Sequence, residues 1–186
     1  LREGQLMASA IVWFRRDLRL SDNPALQAAL DAGLAPIPVY IHAPGEGKPW
    51  QPGAASQAWL HRSLCSLAGD LEQAGSRLIV RHGPSLAELE KLAAEFDIEA
   101  VFWNRLYEPA AIARDTVVKD ALKSAGLHVE SFNAALLVEP WSVATLGDAP
   151  YRVFTPFWRN ASQRVAGQSC TPAPRVLPEV SADITS

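Results

Sequence analysis

Short apolar runs and helical patterns alternate along the chain from Ile11 to Phe132, and this alternation limits the possible folds more than any other feature. Runs of β-branched and aromatic residues predict strands, and a 3.6-residue apolar period predicts helices. Strands joined by helices through short links form a parallel sheet covered on both faces. The sequence therefore predicts a doubly wound, five-stranded α/β fold of the Rossmann-like type. The predicted strands are Ile11–Phe14, Ile37–Ile41, Leu78–Arg81, Ala100–Trp103 and Val129–Phe132, and the predicted helices are Pro24–Ala32, Ala55–Ala74, Ser85–Phe96 and Ala110–Ala125.

The turn after the first strand carries the clearest local signals. Asn23 is a good helix cap, and Pro24 suits a first helical position because its missing N–H would have no partner there. Charges of both signs fill the turn, which predicts ion pairs that hold it in place. A clamp for a phosphate or carboxylate is the alternative interpretation. These charged residues are Arg15, Arg16, Asp17, Arg19 and Asp22.

Composition excludes several classes of protein. The net charge of −3 argues against a free-standing nucleic-acid binder, which would carry an excess of Lys and Arg. Cys65 and Cys170 lack metal-ligand spacing and are predicted to be free thiols of a cytoplasmic protein. No apolar run approaches the roughly 18 residues that span a bilayer, so no membrane partner is predicted.

Common catalytic motifs are missing from the sequence. It contains no phosphate-binding P-loop, no dinucleotide-binding GxGxxG after the first strand and no GxSxG elbow. Gly45-Glu46-Gly47 lies in a loop and is predicted to be a flexible turn. The four histidines do not cluster, so neither a catalytic group nor a metal site is predicted.

Several candidate ligand contacts lie where predicted strands end. Ligands of open α/β sheets bind at the carboxyl ends of the strands, and flat conjugated ligands stack on aromatic rings. Trp13 and Trp103 fit this role, although rings that simply plug the core fit the sequence equally well. Tyr40, His42 and Trp50 follow the second strand and are predicted to face the same crevice.

The loop after the fourth strand adds polar candidates. Glu108 precedes Pro109 and is predicted to cap the next helix, while Asn104 keeps its amide free for a ligand. The alternative is that this loop is only structural, with Arg105 paired to acids such as Asp115. The complete set of predicted ligand contacts is Trp13, Phe14, Arg15, Tyr40, His42, Trp50, Asn104, Arg105, Tyr107 and Glu108.

Five blocks of the sequence resemble the photolyase/cryptochrome family in their order and spacing. They are WFRRDLRLSDNPAL at 13–26, PGAASQAWLHRSL at 52–64, WNRLYEPAAIARD at 103–115, SFNAALLVEPW at 131–141 and YRVFTPFW at 151–158. The third and fourth blocks resemble bacterial photolyases of cyclobutane pyrimidine dimers on the branch near plant cryptochromes. The resemblance implies the strand order 3-2-1-4-5, with a crevice flanked by the strand ends at Phe14 and Asn104.

The resemblance also implies a domain organisation. Residues 10–140 would form an antenna domain, after a disordered or cloning-derived start at 1–9 and before a linker at 141–186. The linker would lead to a helical FAD domain, for which a chain of 186 residues leaves no room. The aromatic segment Tyr151–Asn160 of the linker would be an exposed docking edge. The parent enzyme would repair DNA with light through reduced FAD. The fragment alone would be inactive, with the FAD domain as its partner and damaged DNA reached through that domain.

The chromophore implied by the resemblance is a reduced folate or a deazaflavin, or no antenna at all. Family members with a surface folate site use an adjacent Asn-Glu pair, and the corresponding residues here are Ala110 and Ala111. Alanine side chains cannot hydrogen-bond a pterin, so a deeper pocket is expected. Two other functions stay open from the sequence, a cryptochrome-type blue-light receptor and a plain nucleotide-binding α/β domain.

Overall fold

A five-stranded parallel sheet forms the centre of the protein in a computed structural model that describes residues 8–46, 51–145, 147–165, 169–180 and 184. The strand order β3-β2-β1-β4-β5 confirms the order implied by the family resemblance. Trp13 pairs with Val39 on one side and with Trp103 on the other, which places β1 at the centre. The strands are β1 Ser9–Phe14, β2 Ala35–His42, β3 Ile79–His82, β4 Ile98–Asn104 and β5 His128–Phe132.

Helices connect the strands at the predicted positions, and all nine predicted elements begin and end within two residues of their predicted bounds. Asn23 caps the first helix as predicted, because its side-chain oxygen accepts from the N–H of Leu26 at 3.2 Å. A fifth helix, which the sequence did not predict, follows a 3-10 turn at Pro140–Ser142. The helices are α1 Pro24–Asp31, α2 Ala54–Gln73, α3 Ser85–Glu95, α4 Pro109–Ser124 and α5 Phe154–Val165. None of the described helices is long and apolar enough to cross a membrane.

The sheet buries a hydrophobic core on each face. Successive side chains of a strand point to opposite faces, so Val12 and Phe14 of β1 pack with α1 and α2, whereas Ile11 and Trp13 pack with α3 and α4. Both faces of the sheet are therefore covered, as a doubly wound fold requires.

Only part of α2 contributes to this core. Of the leucines at its 3.6-residue spacing, Leu67 and Leu71 are buried, whereas Leu60 and Leu64 are half-buried. Trp59 on the same half of the helix is 72% exposed. The amino-terminal half of α2 is thus available to line a site or to meet a partner.

The Pro-rich segment after α5 packs on the α/β domain, although its composition is typical of a solvated linker. Leu177, Val180 and Ile184 are at most 5% exposed and join the two cores. The N–H of Leu177 donates to the carbonyl of Ala74 at 2.7 Å, which fixes the segment at the end of α2. The prediction that residues 141–186 link two domains is not tested by this packing.

We predict that Leu177→Ala lowers the free energy of unfolding by about 2–4 kcal/mol, because it leaves a cavity in a buried site. Val176→Ala is the matched control, since Val176 is 79% exposed, and it should change stability by less than about 0.5 kcal/mol. Urea unfolding followed by circular dichroism measures both. Equal effects of the two substitutions would show that the segment is not docked in solution.

Candidate functional site

Two of the clefts at the carboxyl edge of the sheet contain predicted ligand contacts. The first, called the β1–β2 cleft, has a volume of about 260 Å³ and lies over the ends of these strands, where Trp13, Tyr40 and His42 line it. The second, called the β4–β5 cleft, has a volume of about 190 Å³ and is lined by Trp103, Tyr107 and other residues near those strand ends. Leu106, in the loop after β4, lines both clefts.

Trp13 and Trp103 separate the clefts at their base. Each is 1% exposed, and their rings meet edge to face with centroids 5.7 Å apart. The two interpretations offered by the sequence are therefore compatible, because each ring belongs to the core while part of it lines a cleft. Aromatic pairs in this arrangement add about 0.5–1.5 kcal/mol beyond their burial.

Two guanidinium groups lie close to the ring of Trp13. The Cζ atoms of Arg15 and Arg114 are 4.8 and 5.1 Å from its centroid. Asp115 joins the two cations, accepting from Arg15 at 2.5 Å and from Arg114 at 2.7 Å. Burial lowers the pKa of Arg15, and the nearby Asp115 carboxylate opposes that shift. Arg15 is thus fixed by a residue of α4.

The charged turn after β1 pairs only in part as the sequence predicted. Arg19 and Asp22 form a local ion pair at 4.0 Å, as predicted, and Arg19 also donates to the backbone oxygen of Asp22 at 2.9 Å. Arg15 and Arg16 instead pair across the fold, Arg15 with Asp115 and Arg16 with Glu108. The turn is therefore held mainly by the segment that begins α4.

Glu108 occupies the cap position of α4, but its side chain makes no cap hydrogen bond, so that prediction was wrong. Its carboxylate pairs with Arg16 instead. The pKa of Glu108 is lowered, mainly because its carboxylate accepts a hydrogen bond from its own backbone N–H. Partial burial opposes this shift, and the contact with Arg16 adds to it.

The amide of Asn104 is fully used inside the protein, so the prediction that it stays free was wrong. The residue is 3% exposed, and its Nδ2 donates to Asp17 at 2.6 Å and to Asn23 at 2.7 Å. Its Oδ1 accepts from the N–H of Ala25 at 3.1 Å, and its backbone oxygen accepts from Arg15. Asn104 thus joins β4 to the turn before α1.

The remaining candidates of the first two strands differ in exposure. Phe14 is fully buried on the face of α1 and α2, so it lines neither of the two clefts. Tyr40 is half-buried, and burial raises its pKa. His42 is exposed, with its ring 5.1 Å from that of His82. Trp50 lies outside the described residues.

Arg105 and Tyr107 converge on Glu139, a residue that the sequence did not single out. Arg105 forms an ion pair with Glu139, not with Asp115, and it also donates to the backbone oxygen of Ser131 at 2.5 Å. The hydroxyl of Tyr107 donates to Glu139 at 2.7 Å. Burial and the Glu139 carboxylate raise the pKa of Tyr107 to about 12. The exposed ring of Trp141 lies 6.0 Å from that of Tyr107.

Glu46 is a second residue that the sequence did not single out. Its carboxylate accepts from the backbone N–H and the hydroxyl of Ser85, both at 2.6 Å, and lies 3.4 Å from Arg114. One signal was available, since Pro84 precedes α3 and has no side chain that could cap it. Within the described ranges, no three His, Cys, Asp or Glu side chains gather as a metal site would require.

A model of the family "DNA photolyase" matches residues 10–179. The chain belongs to the DNA photolyase family. It is 47% identical over 152 residues to a deoxyribodipyrimidine photo-lyase of Agrobacterium fabrum, covering 82% of this chain and 31% of that protein. It is 41% identical to Cryptochrome-1 of Arabidopsis thaliana, covering 81% and 22% of the two chains. The chain thus spans less than a third of the length of these two relatives.

Solved structures of the family have the same fold. A bacterial class III photolyase from Agrobacterium tumefaciens superposes with a TM-score of 0.89 at 40% identity, covering all of this chain and 38% of that one. An archaeal photolyase from Sulfolobus tokodaii, described with two FAD molecules, superposes with a TM-score of 0.79 at 27% identity, covering 95% and 40%. The fold described above is therefore that of the amino-terminal region of this photolyase family.

We predict that Asn104→Asp destabilises the protein by about 2 kcal/mol or more near neutral pH, because it puts a second carboxylate beside Asp17. Crowding raises the folded-state pKa of one of these carboxyls above the unfolded value of about 3.9. The loss of stability relative to the wild type should therefore be small below about pH 4 and should grow as the pH rises through the folded pKa. Urea midpoints at several pH values measure it, and adding Asp17→Asn should remove the pH dependence. A deficit independent of pH would contradict the Asn104–Asp17 contact.

We predict that Tyr107 ionises near pH 12, later than an ordinary tyrosine at about 10. The unfolded chain would ionise this phenol first, so the folded state should lose stability as the pH rises from about 10 to 12. Tyr107→Phe should remove the contribution near pH 12 from an absorbance titration of tyrosinate and flatten the loss of stability, leaving the contribution of Tyr40, whose pKa burial also raises. Tyr151→Phe is the control and should keep the step near pH 12. An unchanged amplitude of that step in Tyr107→Phe would contradict the assignment to Tyr107.

Proposed function

We propose that this chain is the light-harvesting region of a deoxyribodipyrimidine photolyase and that it holds an antenna chromophore in the β1–β2 cleft. The position of this cleft carries the proposal, because it lies over the carboxyl ends of central strands where doubly wound folds bind ligands. It also contains most of the described candidates of the first two strands, namely Trp13, Arg15, Tyr40 and His42.

The residues of the cleft fit a planar ligand with polar edges. Tyr40 offers a half-buried ring and a hydroxyl, and Trp13 offers part of its ring at the base. Arg16 lines the cleft with a side chain that is 71% exposed, so its guanidinium is able to turn toward a ligand. Ala110, on the first turn of α4, is exposed and has no polar side-chain atom, which supports a deep position over a surface one.

The chromophore would be a reduced folate or a deazaflavin. The Sulfolobus tokodaii photolyase carries two FAD molecules and is described as implying a novel light-harvesting cofactor, so FAD is a third candidate. Such a group absorbs near-ultraviolet or blue light and passes the excitation to the catalytic FAD of the parent enzyme. The protein's part is to bind the ring, orient it and exclude water.

The proposed partner of this region is the helical FAD domain of the same parent, with damaged DNA reached through that domain. The apolar side of α5 supports an intramolecular partner. Phe154 and Trp158 stack with an interplanar angle of 8° and are 69% and 44% exposed, and the neighbouring Val153 is 62% exposed. Exposed apolar patches of this kind mark contact surfaces.

A cryptochrome-type light receptor is the second candidate, and the 41% identity to Cryptochrome-1 of Arabidopsis thaliana favours it. The two functions differ in what the parent does after the flavin is excited. Light-dependent loss of cyclobutane dimers from an oligonucleotide, measured with the full-length parent, would support repair. A parent that carries its flavin, responds to light and leaves the dimers intact would support signalling.

We predict that the chain binds at least one of reduced folate, deazaflavin and FAD, and that ATP binds more weakly. Gln57→Trp should abolish that binding, because Gln57 lines the β1–β2 cleft from an exposed position on α2. Absorbance and thermal shift titrations measure the affinity, since a ligand at 100 times its dissociation constant adds about 2.7 kcal/mol to stability.

Two control variants locate the site. Gln73→Trp adds the same ring to an exposed position at the other end of α2 and should bind normally. Thr116→Trp fills the β4–β5 cleft and should also bind normally. Loss of binding in Thr116→Trp alone would show that the chromophore binds in the β4–β5 cleft. Preference for ATP over all three chromophores would instead favour a plain nucleotide-binding domain.

A further inference from the structure

Residues 43–46, which follow β2, are tied to α3 by the carboxylate of Glu46. Helix α3 begins at Ser85 after Pro84, which provides no side-chain cap, so Glu46 supplies the cap from 39 residues earlier in the chain. Its two oxygens accept from the N–H and the hydroxyl of Ser85, both at 2.6 Å. A negative charge is favourable at a helix amino terminus, where unpaired N–H groups point outward.

The same carboxylate also reaches α4. It lies 3.4 Å from Nη1 of Arg114, whose guanidinium is held over Trp13 and paired with Asp115. Glu46, Ser85 and Arg114 all line the β1–β2 cleft. One side chain thus connects the loop, α3 and α4 around this cleft.

Within residues 43–46, Ala43 packs against the core, and Glu46 donates its N–H to the carbonyl of Ala43 in a long 3.3 Å hydrogen bond. Between them Gly45 has a φ of +107°, a region that other residues rarely adopt. A loop without its anchor samples more conformations, and ordering it again on binding costs affinity.

We propose that Glu46 is a positioning residue of the β1–β2 cleft. It fixes residues 43–46 as one wall and holds Arg114 in place beside the ligand. This inference rests on the proposed function. Glu46 would act through Ser85 and Arg114. Its loss should therefore shorten the residence of the ligand more than it disturbs the fold.

The test compares Glu46→Ala, Glu46→Gln and the control Glu90→Gln in the whole chain. Glu90 is an exposed acid on α3, so its substitution changes the charge equally. Stopped-flow measurements with the chromophore that the wild type binds should show a dissociation rate about tenfold higher for Glu46→Ala. Glu46→Gln should raise the dissociation rate less than Glu46→Ala does, because glutamine keeps an oxygen for the Ser85 N–H but loses the charge facing Arg114. Glu90→Gln should match the wild type.

Hydrogen exchange provides a readout that does not depend on ligand binding. Glu46→Ala should lower the protection of the Ser85 amide and of residues 43–46 by a similar factor, with Glu90→Gln unchanged. A lower melting temperature with unchanged dissociation rate and loop protection would overturn the positioning role. A wild type that binds none of the chromophores would refute the proposed function, and the loop exchange would then still decide whether Glu46 orders the cleft wall.

Discussion

The buried contacts of Arg15 and Asn104 organise the carboxyl edge of the sheet, and the shape of the candidate site depends on them. Arg15 is 7% exposed, and its guanidinium binds Asp115 of α4 and the backbone oxygen of Asn104. A buried charge is costly unless it is paired and hydrogen-bonded, so this arginine fixes the position of α4 relative to β1 and β4. The Asn104 amide extends the same network to the turn before α1. In place of the single crevice expected between β1 and β4 there are two smaller clefts, which Trp13 and Trp103 separate at their base.

The fold was predictable because its signals are local. The apolar period of each segment, the Asn23 cap and the Pro residues at helix starts act within a few residues, and they gave all nine elements of the sheet and its covering helices. Strand order is a long-range property that periodicity does not contain, and it came from resemblance to a family. The docking of Leu177 was missed for the same reason, because the partner of this side chain is the end of α2, about 100 residues away in the chain.

The site was only partly predictable, since its residue types were visible but their partners were not. Arg15, Arg105 and Glu108 were recognised as polar groups at strand ends, yet each pairs with a residue of another element. Glu139 and Glu46 were not recognised as site residues because acids in loops are common and neither shows its partner in the sequence. Only tertiary structure shows that Glu46 completes the cap of α3. A helix preceded by proline, with no capping side chain of its own, is the general signal that such a distant cap exists.

The charged groups around the β1–β2 cleft divide into fixed and adaptable ones. Arg15 lines the cleft, is largely buried and is bound to Asp115, so a ligand would meet it as a preformed wall. Arg16 and Glu108 form a pair whose side chains are 71% and 48% exposed, and exposed pairs contribute little to stability. Breaking that pair to contact a ligand would cost little, whereas breaking the Arg15 contacts would leave a buried charge without a partner. The cleft therefore combines a rigid base with an exposed cation at its rim, a division of roles that suits the proposed chromophore site.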